Sequence, residues 1–556
     1  PAFTLENPQL WSCEFPQLYN AEVVVTADGM VVDSLTEQFG IRSLEFSPEF
    51  GFKLNGKKIF LQGNANHHDL GALGATCYDK AIERMMLQLK SFGYNCIRCS
   101  HNPYSYSFAR IADRVGILVV DELTDKWSDN DYWGGRQPFT HIWHKLITEW
   151  IKRDRNRPSI ILWSLGNELQ IREGWAGFEG TNDWGITTYN IFNQLVKRWD
   201  HTRLTTVAMF PARAGAITRH DKEFNDYLVP PELACATEVA SFNYQSDKYD
   251  AYLKYQPDLI LFQSEAETSK LLQPYYNMDR KRTVGMAYWG SAEYWGESNK
   301  WPKKGWNYSF FDHTMRPYPQ AYLIKSAFMP EIPEVHIGVV DAAGAESVSW
   351  NDVTVGRMAL NECWNHIPGS RQSLFTYTNA HSVELLVNGQ SMGVQQNDTT
   401  QANLRNMIYW KDVPYGNGGS VVAIARDKSG KEVARHRIET AGKAVALRIE
   451  AETPTDWKAD GMDLQYINVT VIDKKGRPVW DYNEPLTLQM EGAARLVALD
   501  NGDHYTDELF HGITSKRMYQ GRMQIILRSD QEAGNVTVKI SSAGLKGTLR
   551  LKTIKE

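Results

Sequence analysis

The sequence predicts a multidomain α/β plus all-β protein, a (β/α)8 barrel flanked by β-sandwich domains, and three observations predict it. Eight strand-length apolar runs alternate with amphipathic stretches between residues 44 and 334, which is the pattern and size of a closed parallel barrel. From residue 335 onward, short alternating runs are separated by turn residues, as in antiparallel sandwiches. Finally, 556 residues are too many for one hydrophobic core.

Composition narrows the function. Hydrophobic residues make up 42% and charged residues 23%, an ordinary globular balance, and the net charge of -6 leaves no basic footprint for nucleic acid. No apolar run is long enough for a membrane-spanning helix. The six cysteines, at 13, 77, 96, 99, 235 and 363, lack the spacings of a disulfide framework or zinc site. Cys96 and Cys99 sit in a strand-like run, where positions three apart face opposite sides. The 18 Trp and 26 Tyr exceed what a core of this size needs and could stack on sugar rings. Pro1 opens the sequence in the middle of a domain pattern, so a longer chain is expected. Any signal peptide would lie upstream, with a periplasmic or secreted destination; a cytoplasmic one stays open.

Residues 1–43 hold an alternating run and then Asp28-Gly29, a hairpin signal, with room for about three strands. Residues 44–334 carry the eight barrel runs at 59–64, 94–100, 116–122, 160–165, 205–209, 239–244, 259–265 and 284–289. Amphipathic stretches at 79–92 and 187–199 fit the outer helices. The Pro-Glu-rich stretch 330–334 reads as a boundary. Two β-sandwiches follow, at 335–440 and 441–556, the first with a hairpin at Asn388-Gly389.

Chemistry concentrates where the barrel strands end. The fourth run breaks at Gly166 and presents Asn167 and Glu168, and the seventh ends near Glu265, with Glu267 falling in the following loop. Elsewhere the ends offer His67, Arg98, His101, Asp121-Glu122, Asn243-Tyr244 and Trp289. A purely structural barrel has no reason to repeat polar and aromatic groups at its C-terminal mouth. His67, His68, Asp69 and Glu122 could suggest a metal, but adjacent histidines in extended chain point apart.

These motifs resemble glycoside hydrolase family 2: residues 63–74 read G-N-A-N-H-H-D-L-G-A-L-G, 98–103 R-C-S-H-N-P, and 163–168 W-S-L-G-N-E, followed by Tyr244 and Glu265 in order. The resemblance implies a retaining exo-β-glycosidase that removes terminal non-reducing sugars from oligosaccharides, with Glu168 as acid/base and Glu265 as nucleophile. It implies Asn167 on the sugar 2-hydroxyl, Tyr244 donating to the nucleophile, Trp289 flooring the site, and His67, Arg98 and His101 lining it. It also implies immunoglobulin-like sandwiches, of which 1–43 would be the last strands and 441–556 another. No cofactor is expected. Large bacterial β-galactosidases of the family hold magnesium through a Glu a few residues after Asp-Glu; Lys126 stands about there, so no active-site metal is expected. β-Galactosides are the expected substrates, and β-glucuronides, β-mannosides or non-catalytic sugar binding stay open, as does a homo-oligomer. In the loop after the eighth strand, Lys300, Lys303 and Lys304 stand around Trp301 and Trp306; the plain reading is a solvated surface loop, and the alternative is lysines that hold an acidic sugar while Trp301 or Trp306 stacks on a neighbouring ring. Lys300 with Trp301 forms a candidate specificity element for acidic sugars. The Asp-rich turn at 500–503 reads as a plain turn, with a calcium-holding turn as the alternative.

Overall fold

The computed structural model describes residues 4–127, 139–169, 185–210, 229–298, 300–341, 346–350 and 353–555. Its chain forms two compact units, Pro1–His68 with Leu89–Glu267 and Gln273–Trp289, and Asp69–Gln88 with Thr268–Leu272 and Gly290–Glu556.

The first unit contains the closed parallel barrel. Its strands are Leu61–Asn66, Cys96–Cys99, Leu118–Glu122, Ile160–Asn167, Leu204–Met209, Val239–Asn243, Leu261–Ala266 and Gly285–Trp289, and the last pairs back onto the first at Gly285 and Leu61. Residues of the fourth, sixth, seventh and eighth strands are buried throughout, as strands covered on both faces must be. All eight predicted runs are strands, with ends displaced by up to two residues. One expectation fails: Gly166 does not break the fourth strand, which runs through Asn167. A Cβ on Gly166 would meet Trp127 Nε1 at 2.7 Å, so the glycine admits an indole rather than a turn. That indole N–H donates to the Leu165 carbonyl at 2.8 Å.

Three long helices of this unit are Tyr106–Val115, Phe139–Asp154 and Ile186–Trp199. The hairpin at Asp28-Gly29 pairs Tyr19–Ala27 with Met30–Phe39, both turn residues having positive φ, 52° and 77°. Buried Arg157 fixes this hairpin beside the barrel, donating to the Gln38 carbonyl at 2.7 Å and to Asp113 at 3.2 Å.

The second unit is dominated by two sandwiches, each of two four-stranded antiparallel sheets. In one, Ile337, Trp364, Leu374, Val383, Leu385 and Val421 meet in a shared core. In the other, Trp457, Ile467, Leu488, Ile525, Val538 and Ile540 do so. The predicted Asn388-Gly389 hairpin joins Ser382–Val387 to Gln390–Gln396.

Candidate active site

The barrel delivers its polar strand ends through irregular register. Between the fourth and fifth strands the pairing jumps from Thr206↔Ser164 to Ala208↔Asn167, and between the sixth and seventh from Phe242↔Gln263 to Asn243↔Glu265. Such bulges re-aim side chains that strict alternation would send elsewhere. The residues that follow are forced as well: Glu168 and Tyr244 have φ of 48° and 61°. That backbone costs on the order of 1–3 kcal/mol and persists where the surroundings over-determine it. Here Glu168 N–H donates to the Ala208 carbonyl at 2.7 Å and Tyr244 N–H to the Glu265 carbonyl at 2.8 Å.

Arg98, fully buried, is the hub. Its guanidinium donates to Glu265 Oε1 at 2.7 Å, to Glu122 Oε2 at 2.8 Å and to Asn167 Oδ1 at 2.9 Å. Tyr244 OH donates to the other Glu265 oxygen at 2.5 Å. Both Glu265 oxygens thus accept a hydrogen bond, one of them from a charged donor. Burial alone would raise the Glu122 carboxyl, but the Arg98 charge and the His101 hydrogen bond hold it below its usual range.

Glu168 lives in the opposite environment. Its Oε1 accepts from Asn243 Nδ2 at 3.1 Å, and it is 7% exposed. Burial, then the nearby charge of Glu265, push its carboxyl from an ordinary 4.5 up to about 8. One guanidinium facing both Glu122 and Glu265 leaves an excess of negative charge, which favours the neutral form of the third carboxyl.

Asn167, His101 and Trp289 complete the floor. Asn167 Oδ1 accepts from Arg98 and from Asn243 (3.0 Å), so its Nδ2 faces His101 Nε2 at 3.2 Å. His101 Nδ1 lies 2.6 Å from Glu122 Oε1, a pattern that fits the proton on Nδ1. The His101 ring stacks on Trp289 at 5.2 Å with planes 6° apart, and His67 stands edge-on to both rings. All eight barrel residues singled out from the sequence thus meet in one network of contacts. Sequence reasoning missed Asn243 as a bridge and Glu122 as the second partner of Arg98. Both stand in the strand-end pairs Asn243-Tyr244 and Asp121-Glu122, which were the available signal. Glu267 lies just past the seventh strand, as expected for the loop, but is buried rather than solvated. Lys126 donates to Asp125 at 2.6 Å and to the Asn167 carbonyl at 3.1 Å, placing an ammonium beside the strand end.

The lysine loop needs correction. Its ends pair as Tyr294–Trp295 with Gly305–Trp306. Lys303 is buried, donating to Tyr308 OH at 3.1 Å, and Lys304 donates to the Thr506 carbonyl. Trp306 is buried too, so it cannot stack on a substrate ring. The loop folds inward because buried Tyr308 and Glu346 offer Lys303 polar partners. Only Lys300 and Trp301, the latter 75% exposed, keep the character the sequence suggested.

Known proteins are similar to this chain. The family 2 TIM barrel domain matches residues 49–284, and further models match 2–42 (glycosyl hydrolases family 2), 369–434 (a domain of unknown function, DUF4982) and 447–549 (glycoside hydrolase family 2 C-terminal domain 5). A crystal structure of a family 2 member from Bacteroides cellulosilyticus DSM 14838 is 30% identical, with a TM-score of 0.82 over 98% of this chain and 68% of that one. The chain belongs to glycoside hydrolase family 2. The beta-galactosidase BoGH2A of Bacteroides ovatus is 27% identical to this family 2 glycosidase over 606 residues, 98% of the chain and 67% of that protein. A putative beta-glucuronidase of Formosa agariphila is 27% identical over 602 residues, spanning the whole chain. The chain covers about half, 54%, of that relative's length.

Proposed function

We propose that this family 2 β-glycosidase is a retaining exo-enzyme acting on terminal β-galactosides, with Glu265 as nucleophile and Glu168 as acid/base. The observation that carries the proposal is the contrast between the two carboxyls: Glu265 is held between Arg98 and Tyr244, whereas Glu168 is pushed up to about 8. A raised carboxyl facing one that accepts from a guanidinium and a phenol suits the roles of acid and nucleophile. A Glu265 oxygen attacks the anomeric carbon while the bond to the leaving oxygen breaks and takes the Glu168 proton. Water then gives its proton to Glu168 and attacks the same carbon, releasing Glu265. Asn167, fixed by Arg98 and Asn243, is placed to meet the 2-hydroxyl, whose hydrogen bond strengthens in the transition state. Trp289 and His101 offer a stacked aromatic face for the ring. The galactosidase relative supports the choice of sugar.

Trapping with a 2-deoxy-2-fluoro glycoside and mapping the labelled peptide tests the nucleophile. Label is expected on Glu265, and label on Glu267 would reassign the role. A panel of aryl β-glycosides should show the galactoside turned over fastest; a faster glucuronide would favour the uronate reading that the Formosa relative's name suggests. Asn299, beside Lys300 in the loop after the eighth strand, lies outside the described residues.

Lys300 and Trp301 are proposed to favour acidic oligosaccharides modestly. Lys300 is exposed, its ammonium 5.8 Å from the Tyr505 ring centre. An exposed ion pair contributes about 0–1 kcal/mol, so the preference lost in Lys300→Ala should be at most about fivefold in kcat/KM and should shrink with salt. An unchanged ratio of sulfated to neutral substrate would remove the residue from specificity.

A further inference from the structure

In the second unit, residues far apart in sequence converge on one carboxylate oxygen. His313 Nδ1 lies 3.2 Å and His504 Nδ1 3.0 Å from Glu293 Oε2. All three side chains are buried, with Glu293 and His313 fully enclosed. The outer atoms are held in turn. His313 Nε2 meets Asp500 Oδ1 at 2.8 Å, and Glu293 Oε1 accepts from Tyr318 OH at 2.8 Å and from Arg357 at 3.4 Å. His504 Nε2 is buried without a hydrogen-bond partner among the described residues. A cavity of about 20 Å³, lined in part by Asp69, Arg84, Glu293, His313 and Asp500, adjoins the cluster and has room for one ion or water.

We infer that Glu293, His313 and His504 form a binding site for a divalent transition-metal ion of the zinc class, separate from the catalytic carboxyls and from the position where Lys126 stands. Three arguments support the site. An ion held tetrahedrally at about 2.1 Å spaces its ligand atoms about 3.4 Å apart. The three offered atoms lie within 4.8 Å of one another, and two of the separations are 3.0 and 3.2 Å, so little movement is needed to admit it. The outer contacts also have the form that orients metal ligands, an imidazole N–H donating to a carboxylate and a ligating carboxylate held by hydrogen bonds. Charge gives the third argument. Glu293 and Asp500 are buried anions, and Arg357 is the cation hydrogen-bonded to Glu293. Two buried carboxylates would help to hold a bound cation there.

The other candidate cluster, His336, Glu362 and His436, lacks this arrangement. There His436 Nδ1 accepts from the Ile337 N–H at 3.0 Å, which leaves the ring proton on Nε2, the atom a metal would need.

The test uses the full chain, stripped with a chelator that is then removed and titrated with Zn2+ and separately with Co2+. About one ion per chain should bind, with a higher Tm and, for Co2+, the visible absorption of a tetrahedral N/O site. His504→Gln and Glu293→Gln should each abolish saturable binding, while Asp500→Asn should weaken it about 10- to 100-fold. If the wild-type chain binds no stoichiometric ion and its Tm ignores both chelator and metal, the cluster is bridged by protons and the inference falls. That titration needs no variant, so a variant that fails to fold leaves the decision intact.

Discussion

Glu168→Ala is expected to lose about 10²–10⁴-fold in kcat/KM on substrates with poor leaving groups and little on an aryl glycoside whose leaving group departs unprotonated. The expectation follows from the carboxyl's environment. Burial and the charge of Glu265 hold it up to about 8, so near neutral pH it carries the proton that the leaving oxygen needs. The pH dependence has a definite sign. Since the proposed acid acts in its protonated form, wild-type kcat/KM on a poor leaving group should fall about tenfold per pH unit above about 8. In Glu168→Ala that alkaline limb should vanish. Azide should restore turnover and yield a glycosyl azide of retained configuration, because the cavity left by the side chain admits an anion beside the anomeric carbon. Equal losses on all leaving groups, or an alkaline limb that survives the substitution, would move the acid role to another residue.

What the sequence disclosed and what it hid follow from how each signal is encoded. The barrel strands are legible because a strand buried on both faces must be an unbroken apolar run, as in Ile160-Ile161-Leu162-Trp163. The candidate catalytic residues are legible because they stand at or just past the ends of such runs. Strand ends are not, since Gly166 looks like a breaker yet serves a close indole contact that only tertiary structure supplies. Parity could not separate Glu265 from Glu267, because the two positions are two apart and alternate to the same face. Asn243 and Glu122 act through hydrogen bonds to other strands, which no local pattern records. The same holds for Glu293, His313 and His504, which span 211 positions. Asp500, read as part of a plain turn, keeps that role through Gly502 N–H at 3.0 Å but also holds His313. Lys303 shows the converse error: a lysine in a polar loop reads as solvated until Tyr308 and Glu346 are found around it.

Arg98→Lys should be the most damaging conservative change in the barrel, both to stability and to turnover. The guanidinium spans three acceptors in different directions, Glu122, Glu265 and Asn167, at 2.7–3.0 Å. An ammonium is a compact donor on a flexible stem and cannot reach all three from one position. Whichever carboxylate it abandons is left buried beside another, and breaking a buried ion pair costs about 3–5 kcal/mol. Turnover should fall about 10²–10³-fold, the loss typical of a donor that preorganises charge at the reacting centre, since Glu265 and Asn167 lose a common anchor. The test is a double-mutant cycle with Glu122→Gln. Neutralising Glu122 removes one of the two anions that Arg98 serves, so a lysine in that background need satisfy only Glu265, and its stability cost should shrink by about 1–3 kcal/mol. Within the cycle, kcat should recover less than stability, because Asn167, the residue proposed to meet the sugar 2-hydroxyl, still lacks the guanidinium that holds its Oδ1. Strict additivity of the two substitutions would mean that Arg98 and Glu122 do not act as a unit.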